Sequence, residues 1–192
     1  MAGQISVRAA VASDVEVILE MIKELALYEN EPDKVLATQE SLQNTLGLKE
    51  GSKCYAKTLL LYEGDKPAGM ALYFNSYSTW RAKPGIYLED LFVKPQFRGK
   101  GYGTTLLATL AKEVLEIDGA RLEWSVLKCM LPAGRMMQEA AEIEIDGIGN
   151  EPSIKFYEGI GATNLAKEWQ QMRVDGNALK DLAKRGAFGD GK

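Results

Sequence analysis

A β-like run, Ile86-Tyr87-Leu88-Glu89-Asp90-Leu91-Phe92-Val93, leads through Arg98-Gly99-Lys100-Gly101-Tyr102-Gly103 into a helical run over residues 104–117. A strand that passes into a helix through spaced glycines leaves few folds open. Glycine lets the backbone aim several N–H groups at one point, and the helix N-terminus adds partial positive charge there. Such a nest suits a polyanion such as a pyrophosphate, with Arg98 and Lys100 close by. The plainer reading of the same glycines is a tight strand-to-helix turn, and spacing alone does not choose between the two. A dinucleotide-binding fingerprint fits less well: its glycines sit at other spacings, within a β-α-β unit that carries an acidic residue about twenty positions on.

Composition narrows the chemistry. With 192 residues, 46% of them hydrophobic, the chain suits a single domain over 1–192 with a sizeable core. A net charge of −4 speaks against nucleic acid or an anionic membrane as partner and is compatible with a cationic substrate. No run approaches the roughly 18 apolar residues of a membrane span, and Met1-Ala2-Gly3-Gln4 lacks the basic and apolar regions of a signal peptide. Cys54 and Cys129 are too isolated for a disulfide framework, so a reducing cytoplasm is the expected location. The chain has no histidine. That removes Ser-His and Cys-His nucleophile pairs and the commonest metal ligand, so no metal is expected. Acid–base work falls to carboxylate, tyrosine, lysine, cysteine or water.

Periodicity orders the rest. Residues 4–9 alternate as a short strand. Ser13-Asp14-Val15-Glu16 has capping-box spacing, and Val17, Ile18, Met21, Ile22 and Leu25 then share one helical face, which should end near Tyr28-Glu29-Asn30. Residues 38–46 read as a second helix. Residues 53–62 and 68–77 read as strands joined by a turn at Gly64-Asp65-Lys66-Pro67. A buried strand is expected over 121–127 and a short helix from Pro152 through Tyr157. A last strand over 170–174 and a helix over 177–184 complete the order β-α-α-β-β-β-α-β-α-β.

The stretch Glu89-Asp90-Leu91-Phe92-Val93-Lys94-Pro95-Gln96-Phe97-Arg98-Gly99-Lys100-Gly101-Tyr102-Gly103 resembles the coenzyme A signature of the GNAT N-acetyltransferases, Arg/Gln-x-x-Gly-x-Gly/Ala after a buried strand. A closer resemblance is to diamine acetyltransferases of the spermidine/spermine and thialysine type. It is carried by Ile22-Lys23-Glu24-Leu25-Ala26-Leu27-Tyr28-Glu29, by Tyr87-Leu88-Glu89-Asp90-Leu91-Phe92-Val93, and by Asn150-Glu151-Pro152-Ser153-Ile154-Lys155-Phe156-Tyr157 with Gly161-Ala162. The resemblance implies an α/β fold, a twisted mixed sheet with helices on both faces, and acetyl-CoA as co-substrate.

It also implies site residues. Glu89 would take the proton of the amine, through water, at a bulge where the strands splay; Tyr157 would protonate the departing thiolate. Backbone groups of Leu91, Phe92 and Val93 would pair with the pantetheine arm. Arg98, Gly99, Lys100, Gly101, Tyr102, Gly103 and Thr104 would hold the pyrophosphate, with Asn150 and Ser153 also on the cofactor. The amine would meet Tyr28, Glu29, Trp80, Glu89, Asp90, Glu168 and Trp169, since carboxylates and aromatic faces suit a cation. Polyamine enzymes typically carry an aspartate just before the tryptophan matching Trp80, whereas this chain reads Ser76-Tyr77-Ser78-Thr79-Trp80. That favours a smaller amine with its own carboxylate, thialysine, lysine or a relative, over spermidine. Related enzymes are dimers, which implies a homodimer. An acyl-CoA-binding regulatory protein without turnover is the reading of another class; it needs the glycine nest but neither Glu89 nor Tyr157.

One segment interrupts the resemblance. In relatives the strand over 121–127 runs almost directly into Trp-Asn-Glu-Pro-Ser, whereas here residues 129–149 intervene. A loop this long inside a compact domain is unusual. Its plain reading is a surface insertion. The codons allow another: Cys129-Met130 can be written with a GTATG splice donor and Ile148-Gly149 with a TAG acceptor. Joining across them yields TGG, tryptophan, directly before Asn150. Residues 129–149 are therefore expected to be a translated intron.

Overall fold

Leu59-Leu60-Leu61 and the apolar run from Ala68 to Tyr73 call for strands covered on two faces. A computed structural model of the chain, describing residues 3–127, 150–166 and 168–185, contains that sheet. The chain divides into two compact units, Met1–Ile154 and Lys155–Lys192. In chain order the elements are β1 (Ile5–Ala9), α1 (Val15–Tyr28), α2 (Gln39–Thr45), β2 (Lys57–Glu63), β3 (Lys66–Ser78), β4 (Lys83–Val93), α3 (Tyr102–Glu116), β5 (Leu122–Trp124), α4 (Glu151–Gly159) and α5 (Gly176–Arg185). The five strands pair in the order β1-β2-β3-β4-β5; every pair is antiparallel except β4 with β5.

Alternation along the strands sends side chains to two helical layers. Leu60, Met70, Leu72 and Phe92 pack with Val15, Ile18, Leu19 and Met21 of α1 and Leu42 of α2. Tyr73 faces the other way, where its hydroxyl donates to Glu113 of α3 at 2.6 Å. Leu106, Leu107, Leu110 and Val114 of α3 are buried there. Fully buried side chains such as Ile18, Met21, Leu60, Met70 and Leu106 each contribute about 1.5–3 kcal/mol through area removed from water. Gly69 permits close strand approach, because a Cβ there would lie 2.8 Å from the Phe92 carbonyl oxygen.

Several local expectations change. Ser13 does not open a capping box: Asp14 is the N-cap of α1, and its carboxylate accepts from the Val11 N–H at 2.7 Å and from Arg8 at 2.6 and 2.9 Å. The Arg8 guanidinium holds that carboxyl below its ordinary range. Strand β2 begins at Lys57 rather than residue 53, and Cys54 makes only an isolated bridge to Leu46. Strand β5 is three half-buried residues, not a buried strand over 121–127. Helix α4 starts at Glu151, with Pro152 second. Residues 170–174 are exposed and form no strand. The sequence expectation for 129–149 lies outside the described residues.

Candidate active site

The site begins with an irregularity in β4. Its pairing with β3 runs Gly69↔Val93 to Leu72↔Asp90 and then jumps to Tyr73↔Leu88, so Glu89 has no partner. This bulge reverses the alternation. Asp90 shares a face with Leu72 and Phe92, toward α1, while Leu88 joins Tyr73 on the α3 face, and Glu89 is exposed. On its other side β4 pairs with β5 only from Ile86↔Leu122 to Leu88↔Trp124. The Tyr87 and Ser125 hydroxyls, 2.8 Å apart, lie beside the last rung. Past that rung the backbone of Leu91, Phe92 and Val93 has no β5 partner among the described residues. The bulge and the end of the parallel ladder coincide, which leaves a strand edge beside Glu89.

Beyond Val93 the chain turns through Pro95–Phe97 into the glycine nest. Gly99 and Gly101 adopt φ of +76° and +81°, and a Cβ on either would point into open space. Gly101 is the N-cap of α3 and supplies no side-chain cap, so the N–H groups of the first turn, through Tyr102, Gly103 and Thr104, have no intrahelical acceptor. The two cations of the nest are already engaged. Arg98 donates through Nε to the Val93 carbonyl at 3.0 Å. Lys100 donates to Glu63 at 2.7 Å, and the Tyr102 hydroxyl donates to the same carboxylate oxygen. These two bonds hold the Glu63 carboxyl below its ordinary range. Asn150 is buried, and its Oδ1 has no hydrogen-bond partner among the described residues. Its carbonyl accepts from the Ser153 and Ile154 N–H groups, both at 3.1 Å, at the start of α4.

Acidic groups meet on the α1 side. Asp90 is pushed up to about 6, first by burial and then by the charges of Glu89 and Glu29. Glu29, the C-cap of α1, is itself raised by burial and by Glu31. Tyr28 precedes it and lies against Arg98. The structure therefore gathers Tyr28, Glu29, Glu89 and Asp90 beside Arg98 and the glycine nest. It does not bring Trp80 to them. Trp80 sits in the β3–β4 turn, 88% exposed, and Asp90 is seven positions beyond the start of β4 at Lys83, roughly 23 Å along an extended strand. Tyr157, Glu168 and Trp169 belong to the second unit. There the Tyr157 ring lies 5.1 Å from Phe156, and Glu168 and Trp169 are exposed.

Two groups have no sequence expectation attached. Glu63 ties Lys100 and Tyr102 from the end of β2. Lys94, 8% exposed, donates to Glu20 at 2.6 Å and Glu24 at 2.8 Å, joining α1 to the end of β4. The spacing of Glu20 and Glu24 on one helical face is the single local signal for either contact.

Comparisons with known proteins point in one direction. Residues 18–143 match the model of the Acetyltransferase (GNAT) family. A thialysine N-epsilon-acetyltransferase from Bos taurus is 30% identical over 93% of this chain and 97% of its own length. One from Caenorhabditis elegans is 31% identical over 88% of this chain and 90% of its own. An integron cassette protein from the mobile metagenome of V. cholerae superposes with a TM-score of 0.68 at 26% identity, covering 94% of this chain and 98% of that one. Among the described residues, no helix is long and apolar enough to cross a membrane.

Proposed function

This chain belongs to the Acetyltransferase (GNAT) family and is an N-acetyltransferase, and from that premise we propose that it moves acetyl from acetyl-CoA to a small primary amine carrying its own carboxylate, such as thialysine or lysine. The observation that carries the reading is the coincidence at Glu89: the bulge, the end of the β4–β5 ladder and the carboxylates around Asp90 lie within a few residues.

The residues present fit the co-substrate. The edge of Leu91, Phe92 and Val93 that has no β5 partner among the described residues suits the amides of a pantetheine arm, as an added strand would. The open nest of residues 99–104 suits the pyrophosphate, and Asn150 Oδ1, without a partner among the described residues, offers a buried acceptor. Bound there, acetyl-CoA supplies an activated acyl carbon. Asp90 and Glu29 draw the ammonium group in, because each has a carboxyl raised by burial that a neighbouring cation brings back toward its ionised form. Glu89, exposed at the bulge, accepts through water the proton that the ammonium must lose before its nitrogen can bond to the thioester carbon. Tyr157 gives a proton to sulfur as the carbon–sulfur bond breaks. No enzyme nucleophile is needed. A homodimer, as the resemblance implies, and the cytoplasmic location expected from two isolated cysteines belong to the same reading.

Coenzyme A thiol release tests it. The purified protein should release thiol from acetyl-CoA only when an amine is present. Binding of acetyl-CoA without release for any amine would instead support an acyl-CoA-binding regulatory role.

A further inference from the structure

Arg98 stands between the two halves of the site. Its side chain is exposed, yet three groups fix it. Its Nε–H is donated to the Val93 carbonyl at 3.0 Å. Its guanidinium carbon lies 4.5 Å from the centre of the Tyr28 ring and 5.9 Å from that of Phe92. Both distances are within cation–π range. Tyr28 is the last residue of α1 and Glu29 is its C-cap. One helix end thus presents a ring to the arginine of the glycine nest and, one residue on, a carboxylate whose charge reaches Asp90. Tyr28 is 38% exposed, so its contact with Arg98 is not enforced by core packing.

We propose that Tyr28 is a positioning residue for the cofactor loop, and that its stack on Arg98 couples acyl-CoA binding to amine binding. The proposal rests on reading residues 99–104 as the pyrophosphate site. A guanidinium already held in place loses less freedom when a phosphate engages it. Amine binding that steadies the end of α1 steadies Arg98 through the same ring. The reverse holds by the same factor, because coupling between binding sites is reciprocal. On this account a side chain that the family resemblance places with the amine acts on the other substrate.

Titration calorimetry tests this, with acetyl-CoA alone and with coenzyme A in the presence of saturating thialysine. Thialysine should tighten coenzyme A binding to the wild type and leave it unchanged in Tyr28→Leu, and no tightening in the wild type would overturn the coupling. Tyr28→Leu should weaken acetyl-CoA binding about two- to fivefold, the scale of an exposed cation–π contact. Tyr28→Phe, which keeps the ring, should restore it. Arg98→Lys keeps the charge but loses the planar stack and the Nε bond; combined with Tyr28→Leu, its effect should be smaller than in the wild-type background. Wild-type affinity in Tyr28→Leu, or strictly additive effects of the two changes, would overturn the coupling. Failure of the wild-type protein itself to bind acetyl-CoA would overturn the reading of the site on which the proposal stands.

Discussion

Asp90 is where function should cost stability, and Asp90→Asn measures that cost. Its carboxyl is raised from 3.8 to about 6 by burial, Glu89 and Glu29. A carboxyl with a higher value in the folded chain holds its proton more tightly there than when unfolded. Protonation therefore favours the fold: this stability is fully present below about pH 4 and is lost as pH rises through about 6. The whole displacement corresponds to about 3 kcal/mol. Asparagine keeps the shape and drops the charge. Urea unfolding at a series of pH values between about 4 and 7.5 is the assay. Near pH 7.5 D90N should exceed the wild type by about 1–3 kcal/mol; near pH 4 the two should differ by only a few tenths. The more stable variant should also show a raised amine KM, because it lacks a carboxylate that draws the ammonium in. Parallel stability profiles across this range, or a wild type that is the more stable at pH 7.5, would refute the reasoning.

Other residues make separate demands. Glu89→Gln should lower turnover most at low pH, where the amine is most protonated; a kcat/KM profile unchanged across pH would remove Glu89 from its role. Tyr157→Phe should reduce kcat with little change in acetyl-CoA affinity, which steady-state kinetics and calorimetry together report. Lys94→Met leaves Glu20 and Glu24 facing each other one helical turn apart. With Glu20 half-exposed, about 1–2 kcal/mol of unfolding free energy should be lost at neutral pH. Lys94 holds the Glu20 carboxyl below its ordinary range, so that loss should shrink as acid protonates Glu20. Complementary DNA should lack the codons for residues 129–149; a principal transcript that retains them would show a genuine insertion.

Some of this structure was legible because local chemistry has few solutions. Two glycines spaced between a strand and a helix imply left-handed backbone, and Gly99 and Gly101 adopt it. The apolar faces of α1 and α3 follow from their helical period. Contacts made by distant partners were not legible. Lys100 and Tyr102 meet Glu63 across the sheet, 37 and 39 positions away, and Lys94 meets Glu20 at a separation of 74. The stack of Arg98 on Tyr28 was not legible either. At the start of α1 the N-cap is Asp14 rather than Ser13, and its carboxylate meets the Val11 N–H and Arg8 of β1. Residues 170–174 read as a last strand, but a strand needs a neighbour to pair with, and among the described residues none pairs with them.

One competition assay tests the central claim most directly. Thialysine and spermidine are offered together, at equal concentration, to the protein with limiting acetyl-CoA, and the acetylated products are weighed by mass spectrometry. N-acetylated thialysine should predominate, because residues 76–80 contain no carboxylate to hold a long polycation. Acetylspermidine as the main product, or free coenzyme A with neither amine modified, would contradict the account.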